Sequence, residues 1–570
     1  MLFILWCIGL WASPFYIAPT SDDGAYISEA IGVMNFGLVS MFYIDHPALY
    51  SAAFPSYPFL SGLFFTVWDA VGLPINFFVY NAFHNLTMTF VLLGIIYLLF
   101  RTAESRREGS LRVNIGLSLL AISPYIIDAA HLRPEPLGLA ATIGAIIAFR
   151  RADLARGSGR GGYALAALLL GLAITMHPSL TVTAGLTAFA ALVILLRRGM
   201  IGTSILAIIA GLIAPAVVIG WYLANLPEST AMLFFEVNQR SSTLSGLGAS
   251  FKGILDYILF ASTANASVAV KLFNAVLFAV LSLSIVLALV MFWTVYRNRR
   301  VKLEVAEVLC GAFFFGALFN TLIDPSGRTQ LYVVLSCASV LMLAMLVRWP
   351  SAERYVPEQG HNAVSTVLPG IVAAAMILAV LFNPIAHISK RLVFPTLRYH
   401  GLTANALVRP YLQKGDALFF TTDQFLPPFV DLVADTYSGN ADIDAFWIFP
   451  YMHGRPDLEH RAVNALVCFL ARRQGERIVW GLRKDFVALD PSDPKRVTIR
   501  IVDRFRAFRV EFEMAENLYE FHDGYFLAGR VLTFSEVFDN TSKATNALLF
   551  RAPDHAPGCS DPAPAKIGGG

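Results

Sequence analysis

Charge is scarce in this chain. Asp, Glu, Lys and Arg make up only 15% of its 570 residues, apolar residues make up 56%, and mean hydropathy is +0.60. Soluble domains carry about a quarter of charged residues, so this composition excludes an ordinary soluble protein and indicates a polytopic membrane protein. The formal net charge of +3 leaves no basic excess that would indicate nucleic acid as a partner. Cysteine is also sparse. Cys7, Cys310, Cys337, Cys468 and Cys559 form no C-x-x-C pair and no Cys/His metal spacing, which argues against a disulfide framework or a zinc site. Internal repeats are lacking, which weighs against a transporter built from inverted halves. Residues 1–17 lack a basic leading region and a small-x-small cleavage site, and so read as a retained first helix rather than a signal peptide.

Long apolar runs are abundant. Eleven, at about 1–17, 75–100, 113–129, 136–150, 162–177, 179–196, 201–222, 268–296, 304–322, 330–347 and 363–384, are long enough, or nearly so, to cross about 30 Å of hydrocarbon. Basic residues concentrate in five connections: Arg101–Arg112, Arg150–Arg160, Arg197–Arg198, Arg297–Lys302 and Arg348–Arg354. Each follows an even-numbered span, so the positive-inside rule makes all five cytoplasmic together with the N-terminus. Loop one at 18–74, the turn near 130–135, the link at 177–179, the loops at 223–267 and 323–329, and everything after residue 385 then lie outside.

The second half of loop one and the 223–267 loop are apolar, aromatic and amphipathic, and should lie as lids along the outer interface. After residue 385 the polarity becomes ordinary, and DALFFTTD, RIVWGL, VTIRIV and FRVEFEM read as strands. The expected fold class is a polytopic α-helical membrane protein of about 11 transmembrane helices with a C-terminal soluble α/β domain. A transmembrane domain covers 1–384 and an exterior (periplasmic) domain 385–550. The Pro-, Ala- and Gly-rich tail at 551–570 has too little apolar content to build a core.

Ionisable residues near membrane depth are costly, so each invites a reason. Asp22 and Asp23 stand where the first span leaves the bilayer, although Ser21-Asp22-Asp23-Gly24 also reads as a helix N-cap. Asp128, His131, Arg133 and Glu135 cluster in the tight turn SPYIIDAAHLRPEPLG on the same side. These residues could simply cap helices and pair with one another, or form an anion site around a guanidinium suited to phosphate. Other outward polar residues are His46, His177, Glu236, Arg240, Lys252 and Arg328, and Asn81, His84 and Asn85 share one stretch of the second span.

This layout resembles the GT-C class of integral-membrane glycosyltransferases, in the branch of protein O-mannosyltransferases and lipid A aminoarabinose transferases. The resemblance rests on the acidic SDDGAY after the first helix, the partial HPP-like match HPALY at 46–50, and ISPYIIDAAHLRPEPLGLAATIGAIIAFRRA. It covers roughly residues 1–200. MHPS stands where many relatives have a Lys-Pro pair. The resemblance implies a polyprenyl-phosphate sugar donor, a glycan, lipid or protein acceptor with a reactive hydroxyl, and inverting transfer at the outer face of an inner or plasma membrane. On it, Asp22 or Asp23 is the general base, Arg133 binds the donor phosphate with help from Arg240, Lys252 and Arg328, and His46, His131 and Glu135 contact substrate. No metal ligand set is assigned. A divalent cation, Mg or Mn, held by the acidic pair is compatible with the resemblance. Rival readings are a transporter or flippase of a lipid-linked saccharide, a polysaccharide polymerase or ligase using a diphosphate donor, and an exterior binding domain on a helical anchor.

Overall fold

A computed structural model describes residues 2–12, 26, 30, 33–34, 56–73, 77–121, 123, 133–155, 159–225, 268–297, 303–323, 329–346, 417–420, 444–447, 475–483, 487–489, 492–493, 495–502, 507–520 and 524–537. The chain divides into two compact units. One holds Met1–Ile17, Ala53–Tyr57 and Asn81–Val393, the other Ala18–Ala52, Pro58–Tyr80 and Phe394–Gly570.

Helices lie on ten of the eleven expected spans: α1 (Leu2–Ala12), α3 (Phe77–Arg101), α4 (Arg106–Ala121), α5 (Glu135–Leu154), α6 (Arg160–Ile174), α7 (Pro178–Arg197), α8 (Ile201–Asn225), α9 (Val268–Arg297), α10 (Val305–Ile323) and α11 (Thr329–Leu346). The eleventh, 363–384, falls outside the described residues. The second half of loop one carries helix α2 (Ser56–Ala70). Among the described residues, Asn81–Arg101, Leu180–Arg197, Ile201–Gly220 and Val305–Leu322 are long and apolar enough to cross a membrane, and four further helices are apolar but shorter. On α8, Ile205, Ile208, Ile209, Leu212, Ile213 and Val217 are all exposed, as expected of a face solvated by lipid.

Packing within the helical unit follows close approaches at small residues. Helices α5 and α6 form an antiparallel hairpin in constant register: Gly138 faces Met176, Gly144 faces Leu169, and Phe149 meets Tyr163 edge-on at 4.8 Å between centroids. Helix α3 runs parallel to α5, because Gly94 abuts Ile143 and, seven residues further along both helices, Arg150 Nη2 donates to the Arg101 carbonyl at 2.7 Å. A Cβ on Gly171 would strike the backbone carbonyl of Gly211, and one on Gly316 the backbone of Thr183, so α6–α8 and α10–α7 meet at backbone contact distance. Helix α7 stops at Gly199, whose φ of +70° opens a Schellman-type end in which Met200 N donates to Leu195 O at 3.0 Å.

Three of the five basic connections meet at one end of this unit, together with Glu304 just before α10. Arg150 pairs with Glu304 at 2.6 Å while reaching Arg101, Arg198 pairs with Asp153, and Arg151 donates to Tyr97 Oη at 3.1 Å. The first of these connections is not a plain loop, because α4 begins at Arg106. Ser105 caps it by accepting the Glu108 N–H at 3.2 Å, and Arg112 and Glu108 are both buried. We call this end the arginine pole. The N-terminal α1 packs on α4, with Trp6 Nε1 donating to the Leu117 carbonyl at 3.0 Å.

In the other unit, α2 packs on a helical stretch that includes Ala30 and Val33: a Cβ on Gly62 would meet Val33 and the Ala30 carbonyl. The C-terminal region contributes a mixed sheet in the order β2-β1-β3-β7-β6-β5-β4, from β1 (Ala417–Phe420), β2 (Asp444–Trp447), β3 (Arg477–Arg483), β4 (Val487–Leu489), β5 (Arg496–Val502), β6 (Ala507–Glu520) and β7 (Gly524–Val537). Strands β1, β2 and β3 are parallel and the remaining pairs antiparallel. Ile478, Val479, Val497, Phe512, Leu527 and Val531 are buried along it. The four expected strand segments coincide with β1, β3, β5 and the first half of β6. Among the described residues from 394 onward, strands are the regular elements, joined by a few turn residues.

Candidate functional site

The pole opposite the arginines is where the polar residues singled out in the sequence can be examined. Two helices start there on prolines. Helix α5 opens with Pro134 at its N-cap and Pro136 in its first turn, and Gly138 N donates to the Pro134 carbonyl at 3.1 Å. Helix α7 opens on Pro178, and Leu180 N donates to the His177 carbonyl at 2.9 Å. Proline at a helix start sacrifices no helical hydrogen bond and pre-sets φ. The proline ring also disfavours the helical region for the residue before it, which restricts the backbone of His177.

The α5–α6 register brings these two starts together, because the link from α6 to α7 seats on α5 beside Gly138. The consequence is a pair that spans 42 residues of sequence: His177 Nδ1 lies 3.2 Å from Glu135 Oε1. The Glu135 side chain is only 1% exposed and that of His177 12%. A carboxylate so enclosed is tolerated when a hydrogen-bonding cation or donor meets it. An Nδ1–H donated to the carboxylate at this distance would hold the imidazole in one orientation. Arg133, half-buried, stands two residues before Glu135.

The same pole holds Ser56, whose Oγ donates to Thr175 Oγ1 at 2.7 Å, and Tyr57, tilted against Phe83 at 6.3 Å between centroids. Asn81, His84 and Asn85 are all buried, so this stretch of α3 turns its polar residues inward. Both amide atoms of Asn85 lack a hydrogen-bond partner among the described residues.

Of the residues expected to form the site, Arg133 and Glu135 are described, on either side of Pro134 at the start of α5. Asp22, Asp23, His46, His131, Arg240, Lys252 and Arg328, with Asp128, fall outside the described residues. The acidic pair that would hold a Mg or Mn ion is therefore among those not described. Among the described residues no three His, Cys, Asp or Glu side chains gather as for a metal ion. His177, which the sequence presents only as a lone histidine at a helix end, gains a buried acidic partner. The traces it left in the sequence are the paired helix starts, R-P-E-P and H-P, at the two ends of one hairpin.

No protein-family model matches the chain, and no curated protein matches it in sequence. Its fold does match solved structures. The crystal structure of ArnT from Cupriavidus metallidurans bound to undecaprenyl phosphate is similar over 92% of this chain and 97% of that one, at 13% identity and a TM-score of 0.60. The apo structure of the same protein is similar over 92% and 97%, at 13% identity and a TM-score of 0.52. With its apolar helices and this likeness across nearly its whole length, the chain is an integral membrane protein with the fold of the GT-C glycosyltransferases.

Proposed function

We propose that this protein transfers a sugar from a polyprenyl-phosphate donor to a hydroxyl acceptor at the exterior face of the membrane. The observation that carries this reading is the Glu135–His177 pair at the pole opposite the arginines, with Arg133 two residues before Glu135 in the chain, in a fold shared with an ArnT whose crystal structure holds undecaprenyl phosphate. The arginine pole faces the cytoplasm by the positive-inside rule, so the pair faces outward. A donor whose lipid lies in the bilayer presents its phosphate at such a boundary.

In the reaction the acceptor oxygen attacks the anomeric carbon and its proton passes to Asp22 or Asp23. The bond from that carbon to the phosphate oxygen breaks, and its electron pair stays on the lipid phosphate. Arg133 meets the charge that develops there, with Arg240, Lys252 and Arg328 as further cations. Direct displacement inverts the anomeric centre. A Mg or Mn ion held by the acidic pair would add charge at the phosphate.

The test is transfer by the purified full-length protein in lipid nanodiscs, offered a panel of polyprenyl-phosphate sugars with glycan, lipid and peptide acceptors. Consumption of one donor with release of polyprenyl phosphate is expected, and loss of turnover in Asp22→Asn or Asp23→Asn identifies the base. If no donor is consumed the reading fails, and if both variants turn over like wild type the base assignment fails.

A further inference from the structure

We propose that Tyr97, Arg101 and Arg151 form a binding site for the headgroup of an anionic phospholipid in the leaflet at the arginine pole. The site lies at the end of the helical unit remote from the Glu135–His177 pair and makes no use of the sugar-transfer reading. Three guanidiniums at this pole are matched by carboxylates: Arg112 by Glu108, Arg150 by Glu304 and Arg198 by Asp153. Arg101 and Arg151 are not. Both are exposed, and among the described residues neither reaches a carboxylate. Both turn instead to one ring: the guanidinium carbon of Arg101 lies 6.0 Å from the centroid of Tyr97, and that of Arg151 lies 5.1 Å from it. The approach of α5 to α3 at Gly94 and Ile143 is what lets Arg151 reach that ring. Each cation is attracted to the aromatic ring, yet together they bring two like charges to a single side chain. An anion is the ligand that balances them.

The hydrogen bonds define the ligand further. Arg151 Nε donates to Tyr97 Oη at 3.1 Å, so the phenol oxygen accepts there and its own hydrogen remains for another acceptor. The Nη groups of Arg151 and the fork of Arg101 likewise have no acceptor among the described residues. The site thus offers donors only. A phosphodiester offers acceptors only, and the planar guanidinium fork matches two of its oxygens.

A second, independent observation makes that anion part of a lipid. Along α3, Leu86, Phe90 and Leu93 are exposed, as is Phe100 beside Arg101. Steps of four and three residues put the first three on one helix face, and Tyr97 and Arg101 continue the same face. From Phe90 to Arg101 is eleven residues, about 16 Å at about 1.5 Å per residue, and half of a hydrocarbon core of about 30 Å is about 15 Å. The apolar stripe therefore matches the depth of one leaflet. Its polar end carries the two arginines, with a tyrosine at the level where tyrosines gather in membrane interfaces. A free phosphate would use the arginines and leave the stripe without a role.

Native mass spectrometry of the full-length protein in detergent, titrated with phosphatidylglycerol, phosphatidylcholine or inorganic phosphate, tests the proposal. Wild type should hold phosphatidylglycerol about tenfold or more tighter than phosphatidylcholine, whose choline opposes the guanidiniums. Arg101→Gln combined with Arg151→Gln should lose about tenfold or more of the phosphatidylglycerol affinity. Arg106→Gln combined with Arg160→Gln removes the same charge from exposed arginines elsewhere at this pole, and should stay within about threefold of wild type. Tyr97→Phe keeps the ring and removes the hydroxyl; it should lose about threefold or more, and carries the prediction if the first double variant does not fold. Equal losses in the two double variants would mean a nonspecific basic surface and overturn the site, as would an unchanged affinity in the first. Phosphatidylcholine held as tightly as phosphatidylglycerol overturns the anionic assignment. Inorganic phosphate that displaces the lipid at equal concentration overturns the lipid assignment in favour of the free anion.

Discussion

The guanidinium of Arg112 is completely enclosed, and its Nη2 lies 2.6 Å from Oε1 of Glu108, one turn earlier on α4. That approach is a charge contact rather than a well-directed hydrogen bond, and Arg112 donates instead from Nη1 to Thr102 Oγ1 at 3.1 Å. Removing one partner strands a buried charge, so Glu108→Gln should cost about 3–5 kcal/mol of stability, whereas replacing both residues with Met and Leu should cost far less. Thermal unfolding of the three proteins in one detergent decides this. A single variant as stable as the double would mean that water reaches the pair.

Gly171 of α6 and Gly211 of α8 meet backbone to backbone, and a methyl group at 171 has nowhere to go. Gly171→Ala should therefore force α6 and α8 apart and lose about 1–3 kcal/mol. Gly185, inside α7, has open space where its Cβ would be. Gly185→Ala should be neutral or gain up to about 1 kcal/mol through helix propensity. Equal midpoints for the two variants would contradict the packing described for α6 and α8.

Where sequence reasoning located helices, it did so because an apolar run of membrane length has few alternatives to a helix in lipid. It failed where two signals competed. The stretch around Arg106 and Arg107 reads as a charged loop, yet Ser105 and Glu108 form an S-x-x-E pattern that starts α4 within it. Strand β6 was legible only to Met514, beyond which register shifts at Met514/Glu516 and Asn517/Tyr519 break the alternation by which a strand is recognised. Within the site, Arg133 and Glu135 announce themselves by charge beside proline. The Glu135–His177 contact did not, since it depends on a hairpin register carried by Gly138 and Gly144, and no local pattern encodes a pairing across 42 residues.

Arg133 differs from His177 in having a charge that cannot be removed by deprotonation and a planar, bidentate fork. On the proposed mechanism, Arg133→Ala should weaken undecaprenyl phosphate binding by about tenfold or more and lower turnover further, because the phosphate gains charge as the sugar leaves. Arg133→Lys should restore charge but not the fork, and recover binding better than turnover. Single-turnover transfer measured beside equilibrium binding separates the two effects. If turnover and binding fall in step, Arg133 stabilises ground and transition states equally.

Asn85 offers the opposite trade. Its buried amide has no hydrogen-bond partner among the described residues, and an unsatisfied polar group of this kind costs about 1–3 kcal/mol. Leucine has nearly the same shape and no polar atoms to strand, so Asn85→Leu should raise the thermal midpoint of the ligand-free protein. If the amide is retained for a ligand, the same change should weaken undecaprenyl phosphate binding, and the stabilisation that the lipid confers on wild type should shrink in the variant. A ligand-free Asn85→Leu protein that melts below wild type would show that the amide is already satisfied within the fold, and would remove it from the site.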